Sequence, residues 1–200
     1  SFTNNTVYFS RSGNQNIRIP NDACYYNLIC GTSGTKTVQA GTTGIKNNLT
    51  IQSTAIVDVG TNTLADGCAG TASLTMTGNS ELIISKCAAT LPELTGAYSL
   101  TGGTITLNGI CAQTLRGGKT YNNLLFSGSN AASSVNMSGV LTVNGNITVS
   151  NADKIIANSA FTMTDCSKTF TYNSTGNSTL TNNIAIGNFS HINTGSVNDG

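Results

Sequence analysis

The chain has 200 residues and a formal net charge of +1, and only 8% of its residues are charged, against roughly 25% in an ordinary soluble domain. It has no basic patch for nucleic acid and no apolar stretch near the ~20 residues of a bilayer-spanning helix, so we expect neither a nucleic-acid partner nor a membrane span. Thr, Asn, Gly and Ser make up half of the chain, but apolar residues recur throughout in short alternating runs, which argues against disorder.

These alternating runs predict β-strands along the whole chain. The clearest, in chain order, are SLTMTG (73–78), TITLNG (104–109), LTVNGNITVS (141–150) and AFTMT (160–164). Alternation places Leu141 and Val143 on a buried face and Thr142 on the opposite one, and Asn144-Gly145 indicates a turn. No segment keeps an apolar period of 3.6 residues, so no long helix is expected.

Similar sequences recur about half of the chain apart and in the same order. The matches are Gln15-Asn16-Ile17 with Gln113-Thr114-Leu115, Tyr25 with Tyr121, Asn48–Ile51 with Asn146–Val149, and Cys68 with Cys166. Repeats of this kind decide the architecture. They predict two copies of one unit, 1–97 and 98–200, the second continuous with the first.

A repeat of this size fits either tandem immunoglobulin-like β-sandwiches or several coils of a parallel β-helix. The β-helix is favoured because the turns contain Gly, Asn and Ser but almost no Pro, and because no linker separates the copies. Pairs such as Asn47-Asn48 and Asn122-Asn123 also suit amide ladders between coils. We therefore predict an all-β parallel β-helix, or β-solenoid, with tandem sandwiches as the alternative.

The passages GICAQTLRGGKTYNNLLFSGS (109–129) and MSGVLTVNGNITVSNADKIIANS (137–159) resemble the large repetitive surface proteins of Bacteroidota. The match rests on a Q-T-L run, a Gly-rich turn, Y-N-N-L and V-N-G-N-I, and the first copy matches less well. The resemblance implies a secreted, cell-surface β-solenoid of adhesive type, without catalytic residues to transfer.

Six cysteines are present: Cys24, Cys30, Cys68, Cys87, Cys111 and Cys166. An even number in a chain of extracellular character predicts at least one disulfide. Cys24 and Cys30 would lie ~20 Å apart along a strand, too far to bond, and Cys68 and Cys166 occupy equivalent places one repeat apart. Cys68 and Cys87, about one coil apart, are the first candidates. A set of buried free thiols is the alternative.

The sequence offers little for catalysis. Its acidic residues form no close pair, whereas a β-helix glycosidase or lyase uses clustered carboxylates. The single histidine, His191, and the lack of a C-x-x-C motif argue against a zinc site. We expect no enzyme, no metal and no cofactor, although residues on neighbouring coils can meet. A carbohydrate-active β-helix enzyme is therefore kept as an alternative.

Threonine-x-threonine pairs suggest a further alternative, because a flat threonine face on a β-solenoid orders water on ice in some antifreeze proteins. The pairs begin at Thr35, Thr61, Thr75, Thr104, Thr162, Thr169 and Thr179. Their irregular spacing favours the simpler interpretation that threonine suits outward strand positions. An ice-binding β-solenoid therefore ranks as a second alternative.

The prediction is a non-catalytic structural segment of an extracellular adhesin or surface filament at the cell surface. Its partners would be further copies of itself or adjacent repeats, and surface glycans are the candidate ligands. Neither end has the sequence of a cap. Val7 and Phe9 alternate at one end, as do Ile184, Ile186, Phe189 and Ile192 at the other, so end-to-end association is expected.

Overall fold

The computed structural model describes residues 4–20, 24–87, 89–129, 133–151, 155–157, 161–174, 178–180, 184–185, 188–191 and 197–199. Over these ranges every regular element is a β-strand and no helix occurs. The strands pair in parallel and stack as a β-solenoid of about 7 turns. The predicted parallel β-helix is confirmed. Tandem immunoglobulin-like sandwiches, which are built from antiparallel sheets, are wrong for this chain.

The chain forms two compact units. Unit 1 comprises Ser1–Lys86 and Pro92–Thr104, and unit 2 comprises Cys87–Leu91 and Ile105–Gly200. The predicted repeat units 1–97 and 98–200 stay a prediction. Of the matched cysteines, Cys68 forms a disulfide, whereas Cys166 is a free, exposed thiol.

The strands of unit 1 are short and follow each other closely. They are β1 (Thr6–Phe9), β2 (Gln15–Ile17), β3 (Cys24–Cys30), β4 (Ser33–Val38), β5 (Thr42–Ile51), β6 (Thr54–Gly60), β7 (Thr63–Asp66), β8 (Ser73–Met76), β9 (Glu81–Ile84) and β11 (Tyr98–Leu100). They stack in two parallel series, β1-β3-β5-β8-β11 and β2-β4-β6-β9, and β7 pairs with the first half of β5. Apart from β7 and β8, which both pair with β5, sequential strands thus alternate between the two series, as in the coils of a solenoid.

In unit 2, successive strands of the chain also belong to different stacks of parallel strands, and there are three such series. Its strands are β10 (Thr90–Leu91), β12 (Thr104–Leu107, starting at the last residue of unit 1), β13 (Ala112–Leu115), β14 (Thr120–Tyr121), β15 (Asn123–Phe126), β16 (Ser134–Met137), β17 (Leu141–Val143), β18 (Ile147–Asn151), β19 (Ile155–Ala157), β20 (Phe161–Met163), β21 (Thr169–Ser174), β22 (Ser178–Leu180), β23 (Ile184–Ala185), β24 (Asn188–His191) and β25 (Val197–Asp199). The series are β12-β15-β18-β21-β24, β10-β13-β16-β19-β22-β25 and β14-β17-β20-β23. The strands expected from the four clearest alternating runs are β8, β12, β17 with β18, and β20, so those expectations are confirmed.

The core of each unit consists of inward columns in which equivalent residues of successive turns lie on one another. In unit 1, Leu28 pairs with Leu49 and Leu49 pairs with Leu74, and all three are buried. In unit 2, Ile147 pairs with Phe170 in the same way. Burying each such side chain contributes roughly 1.5–3 kcal/mol, so the columns are the main source of stability.

Asparagine side chains connect neighbouring turns, as the Asn-rich turns predict. In unit 1 the side-chain amide of Asn47 donates to Oδ1 of Asn27 at 2.8 Å. In unit 2, Oδ1 of Asn123 accepts from the backbone N–H of Asn146 at 2.9 Å, and Oδ1 of Asn146 accepts from that of Thr169 at 3.0 Å. The two bonds in unit 2 satisfy backbone N–H groups next to the strands, and the bond in unit 1 links two side chains of neighbouring strands.

Candidate functional site

Two disulfides join residues of different turns. Cys24 bonds to Cys68, with the two Cα atoms 6.1 Å apart and a sequence separation of 44. The loop after β7 brings Cys68 into place by passing over Gly44. A Cβ on Gly67 would lie 2.6 Å from the Cα of Gly44 and 3.0 Å from the Cβ of Cys24. The crossing therefore needs a glycine at position 67.

The second disulfide lies within unit 2. Cys87 bonds to Cys111, with Cα atoms 5.7 Å apart and a sequence separation of 24. The predicted presence of disulfides is confirmed, and both first candidates, Cys68 and Cys87, are bonded. Their predicted mutual pairing is wrong.

The pairing is wrong because one turn in this part of unit 1 takes more residues than separate Cys68 from Cys87: Gly60 pairs with Ile84, and Ala65 pairs with Glu93. Between turns of unit 1, Leu28 lies against Leu49 and Leu49 against Leu74, and each of these steps along the chain is longer than the step from Cys68 to Cys87. The exclusion of Cys24–Cys30 is confirmed, since the two residues are the two ends of β3.

Lys36 is a buried cation that the sequence-based interpretation missed. Its side chain is fully buried, and its Nζ donates to the backbone carbonyls of Arg11, Gly13 and Ser33 at 2.8, 2.8 and 2.9 Å. The three donors of an ammonium group are thus all used. The signal was available: alternation along β4 with buried Val38 places Lys36 on the inward side.

The free thiol of Cys30 shares this region with Lys36. Burial raises the pKa of the Cys30 thiol from 9.0 to about 12, and the charge of Lys36 works in the opposite direction. Burial lowers the pKa of Lys36, and Cys30 opposes that shift. The pKa of Tyr25 is raised, first by burial and then by Cys30. A thiol that stays protonated is a poor nucleophile, so Cys30 acts as a core residue.

The structure pairs the carboxylate of Glu93 with Lys86 and places Asp66 on the strand that neighbours Glu93. Glu93 accepts from Nζ of Lys86 at 2.8 and 3.0 Å, and Lys86 also donates to the hydroxyl of Thr63. Asp66 lies nearby, since Ala65 pairs with Glu93. Asp66 accepts from the backbone N–H groups of Ala72 and Thr95 and from the Thr95 hydroxyl. These bonds hold the loops in place.

A cleft of about 300 Å³ lies beside the start of β3 in unit 1. Tyr25, Tyr26 and Pro20 give it apolar walls, and Asn5 and Thr6 add polar groups. The Tyr25 hydroxyl donates to the carbonyl of Arg18, so that ring is held in place. Aromatic walls with a few polar groups can hold a small molecule that has both an apolar face and hydroxyl groups.

The chain matches no protein-family model, no curated protein and no solved structure. Among the residues that the structure describes, no three His, Cys, Asp or Glu side chains lie close enough to hold a metal ion. In the same part of the chain, no helix is long and apolar enough to span a bilayer.

Proposed function

We propose that the chain is a non-catalytic structural segment of an extracellular adhesin or surface filament. The observation that carries this proposal is that inward columns continue to the outermost described strands of two series and are partly exposed there. Val7 pairs with Leu28, which is fully buried, but Val7 itself is 36% exposed. An uncovered column is a surface on which a further turn can stack.

The last strand of the β12-β15-β18-β21-β24 series has the same property. Phe189 pairs with Phe170, and their rings stack with centroids 5.6 Å apart. Phe170 is fully buried, whereas Phe189 is 46% exposed. Of the other alternating residues expected at this end, Ile186 and Ile192 lie outside the described residues.

Two further features support an extracellular structural role. Two disulfides fit an oxidising compartment, and a surface with few charges offers little repulsion between copies. Successive turns are joined by backbone hydrogen bonds between parallel strands and by hydrogen bonds of asparagine side chains. Such a segment would act mechanically, with further turns or further copies as its partners.

Sedimentation velocity of the purified chain over a wide concentration range tests this proposal. We expect association that increases with concentration, and that weakens when Val7→Lys places a charge in the uncovered column. Tyr8→Lys is the matched control, because Tyr8 is the outward neighbour of Val7 and is 63% exposed. A wild-type chain that stays monomeric at every concentration would contradict the filament role.

For the adhesive part of the role we propose surface glycans as ligands of the cleft beside Tyr25 and Tyr26. The apolar ring faces and the nearby Asn5 and Thr6 support this choice, because sugars present apolar faces flanked by hydroxyls. Tyr26→Ala should abolish retention on a glycan array, whereas Tyr8→Ala, which alters an exposed tyrosine that does not line the cleft, should leave it unchanged. Equal retention by both variants would remove the cleft from consideration.

A further inference from the structure

The register between turns aligns outward threonines that are irregularly spaced in the sequence. On unit 1, Thr50 pairs with Thr75 and Thr75 pairs with Ser99. On unit 2, Thr120 pairs with Thr142 and Thr142 pairs with Thr162. In each unit, the number of residues between paired positions differs from one turn to the next. Loops of different length between the strands make up this difference, so the side chains stay aligned. The sequence spacing is therefore no argument against an ordered face.

A second outward column runs beside the first in each unit. Backbone bonds from Thr77 to Ile51 and from Thr101 to Met76 continue the register by one residue, which aligns Gln52, Thr77 and Thr101. In unit 2 the corresponding bonds align Asn122, Asn144 and Thr164. In each unit, we call the two columns together an array. The unit 1 array comprises Thr50, Gln52, Thr75, Thr77, Ser99 and Thr101, and the unit 2 array comprises Thr120, Asn122, Thr142, Asn144, Thr162 and Thr164.

The residues between the two columns point inward and anchor each array to the core. Ile51 and Met76 are buried in unit 1, and Tyr121, Val143 and Met163 are buried in unit 2. Array residues therefore repeat about every 4.8 Å across strands and about every 6.6 Å along them. The array members are partly or fully exposed.

Hydrogen bonds fix the orientation of several polar groups of the arrays, in unit 1 through the neighbouring side chain of Asn48. In unit 1 the amide of Asn48 donates to the hydroxyl of Thr50 at 2.7 Å, and the hydroxyl of Thr75 donates to Oδ1 of Asn48 at 3.4 Å. In unit 2 the hydroxyl of Thr164 donates to Oδ1 of Asn144 at 2.7 Å. Threonine is also stiff at χ1 because it is β-branched. Hydroxyls and methyls in such fixed positions require little further ordering when a ligand binds.

We propose that the unit 1 array and the unit 2 array bind ice. All of their residues are uncharged, none is aromatic, and each threonine presents a hydroxyl and a methyl group. A repeating hydroxyl lattice with methyl groups between can hold water in the order of a crystal surface, whereas a charge would impose its own hydration shell. A sugar-binding face would use aromatic rings, and the exposed ring of Tyr8 lies outside the unit 1 array, because Ile29 separates it from Thr50. The proposal does not depend on the filament role.

The test uses the 200-residue chain and measures two properties, its incorporation into a slowly growing ice hemisphere and its inhibition of ice recrystallisation. The array variant is Thr75→Lys with Thr142→Lys, which places one charge on each array. The control variant is Thr37→Lys with Asn136→Lys, which places one charge on an outward residue of β4, beside Asp58, and one on an outward residue of β16, beside Ile156. We expect the wild type and the control to enter ice, and the array variant to lose more than half of both activities.

Thr75→Tyr with Thr142→Tyr separates size from charge, and it should lose activity as well. Thermal melting shows whether each variant is folded. If the variant with two lysines does not fold, the variant with two tyrosines is compared with the control instead. A wild-type chain that is excluded from ice would overturn the proposal. Equal losses in the array and control variants would overturn it too, because the effect would then not be specific to these columns.

Discussion

Nζ of Lys36 donates a hydrogen bond of 2.8 Å to the carbonyl oxygen of Gly13, which lies on the preceding turn. The bond connects two turns through the interior of unit 1. Lys36 lies in an inward column that continues through Val57 and Leu82. Its buried amine, with all of its donors used, takes a place in this column that an apolar side chain would otherwise fill. Lys36 is therefore part of the structural core, and its removal is the first test of the architecture.

Lys36→Met keeps the length of the side chain and removes the donors. We expect the free energy of unfolding to fall by about 3 kcal/mol, because three carbonyls lose a charged partner. Lys46→Met is the matched control. Lys46 is exposed and lies 6.0 Å from the centre of the Tyr26 ring, so its loss should cost less than about 1 kcal/mol. Urea unfolding measures both, and equal values would contradict the assigned role of Lys36.

The Cys30 thiol should make the fold sensitive to alkaline pH. Its pKa is about 12 in the folded chain, against an ordinary value of 9.0. Between these values the unfolded thiol loses its proton while the folded thiol keeps it. The free energy of unfolding therefore falls as pH rises through this window, by up to ~1.4 kcal/mol per pH unit. Below this window the thiol contributes no slope.

The measurement compares Cys166→Ser with the double variant Cys166→Ser and Cys30→Ala, so that no exposed thiol can exchange with the disulfides. The double variant should lose most of the alkaline slope. Tyr25, whose raised pKa gives a slope of the same sign, and Lys36, whose lowered pKa gives the opposite sign, are present in both proteins. Identical slopes in the two proteins would show that Cys30 keeps an ordinary pKa.

Thiol titration should separate the three classes of cysteine. In the folded, non-reduced chain we expect one reactive thiol, from exposed Cys166, and after denaturation two, when buried Cys30 is released. Reduction should raise the number to six. Cys166→Ser is the control and should show no reactive thiol when folded. Four or more thiols in the denatured, non-reduced protein would contradict the two disulfides.

Replacing a disulfide should destabilise the chain by an amount that grows with the logarithm of the length of the loop that it closes. Sequence separations of 44 and 24 give losses of about 4 and about 3 kcal/mol. The larger loss is expected for Cys24→Ser with Cys68→Ser, and the smaller for Cys87→Ser with Cys111→Ser. Thermal melting under non-reducing conditions measures both. The alternative pairing Cys68–Cys87 would be indicated by a single crosslinked peptide that contains those two residues.

Gly34 and Gly13 form a natural pair for testing how closely two turns approach. Both have positive φ, of +79° and +90°, but a Cβ on Gly34 would lie 2.5 Å from backbone atoms of Gly13, whereas a Cβ on Gly13 has open space. Gly13→Ala should cost only the ~1–2 kcal/mol of a left-handed backbone. Gly34→Ala should cost more than ~3 kcal/mol, because backbone must also move. Equal costs would mean that the turns are not in this contact.

Much of the local structure could be predicted from the sequence. The alternation of LTVNGNITVS was enough to place Leu141 and Val143 inside, Thr142 outside and a turn at Asn144, because side-chain direction in a strand has a period of two. The same rule applied to β4 places Lys36 inside, on the same face as Val38. The even number of cysteines likewise indicated disulfides.

The sequence by itself determined that this chain is all-β, that its strands alternate inward and outward residues, and that some cysteines pair. Only the tertiary structure decided which residues of different turns meet. The turns of unit 1 differ in length, as the unequal steps from Leu28 to Leu49 and from Leu49 to Leu74 show, so no fixed step in the sequence relates one turn to the next. Backbone hydrogen bonds set the register, and the loops absorb the difference. For that reason Cys68 meets Cys24 rather than Cys87, and Thr75 lies in line with Thr50.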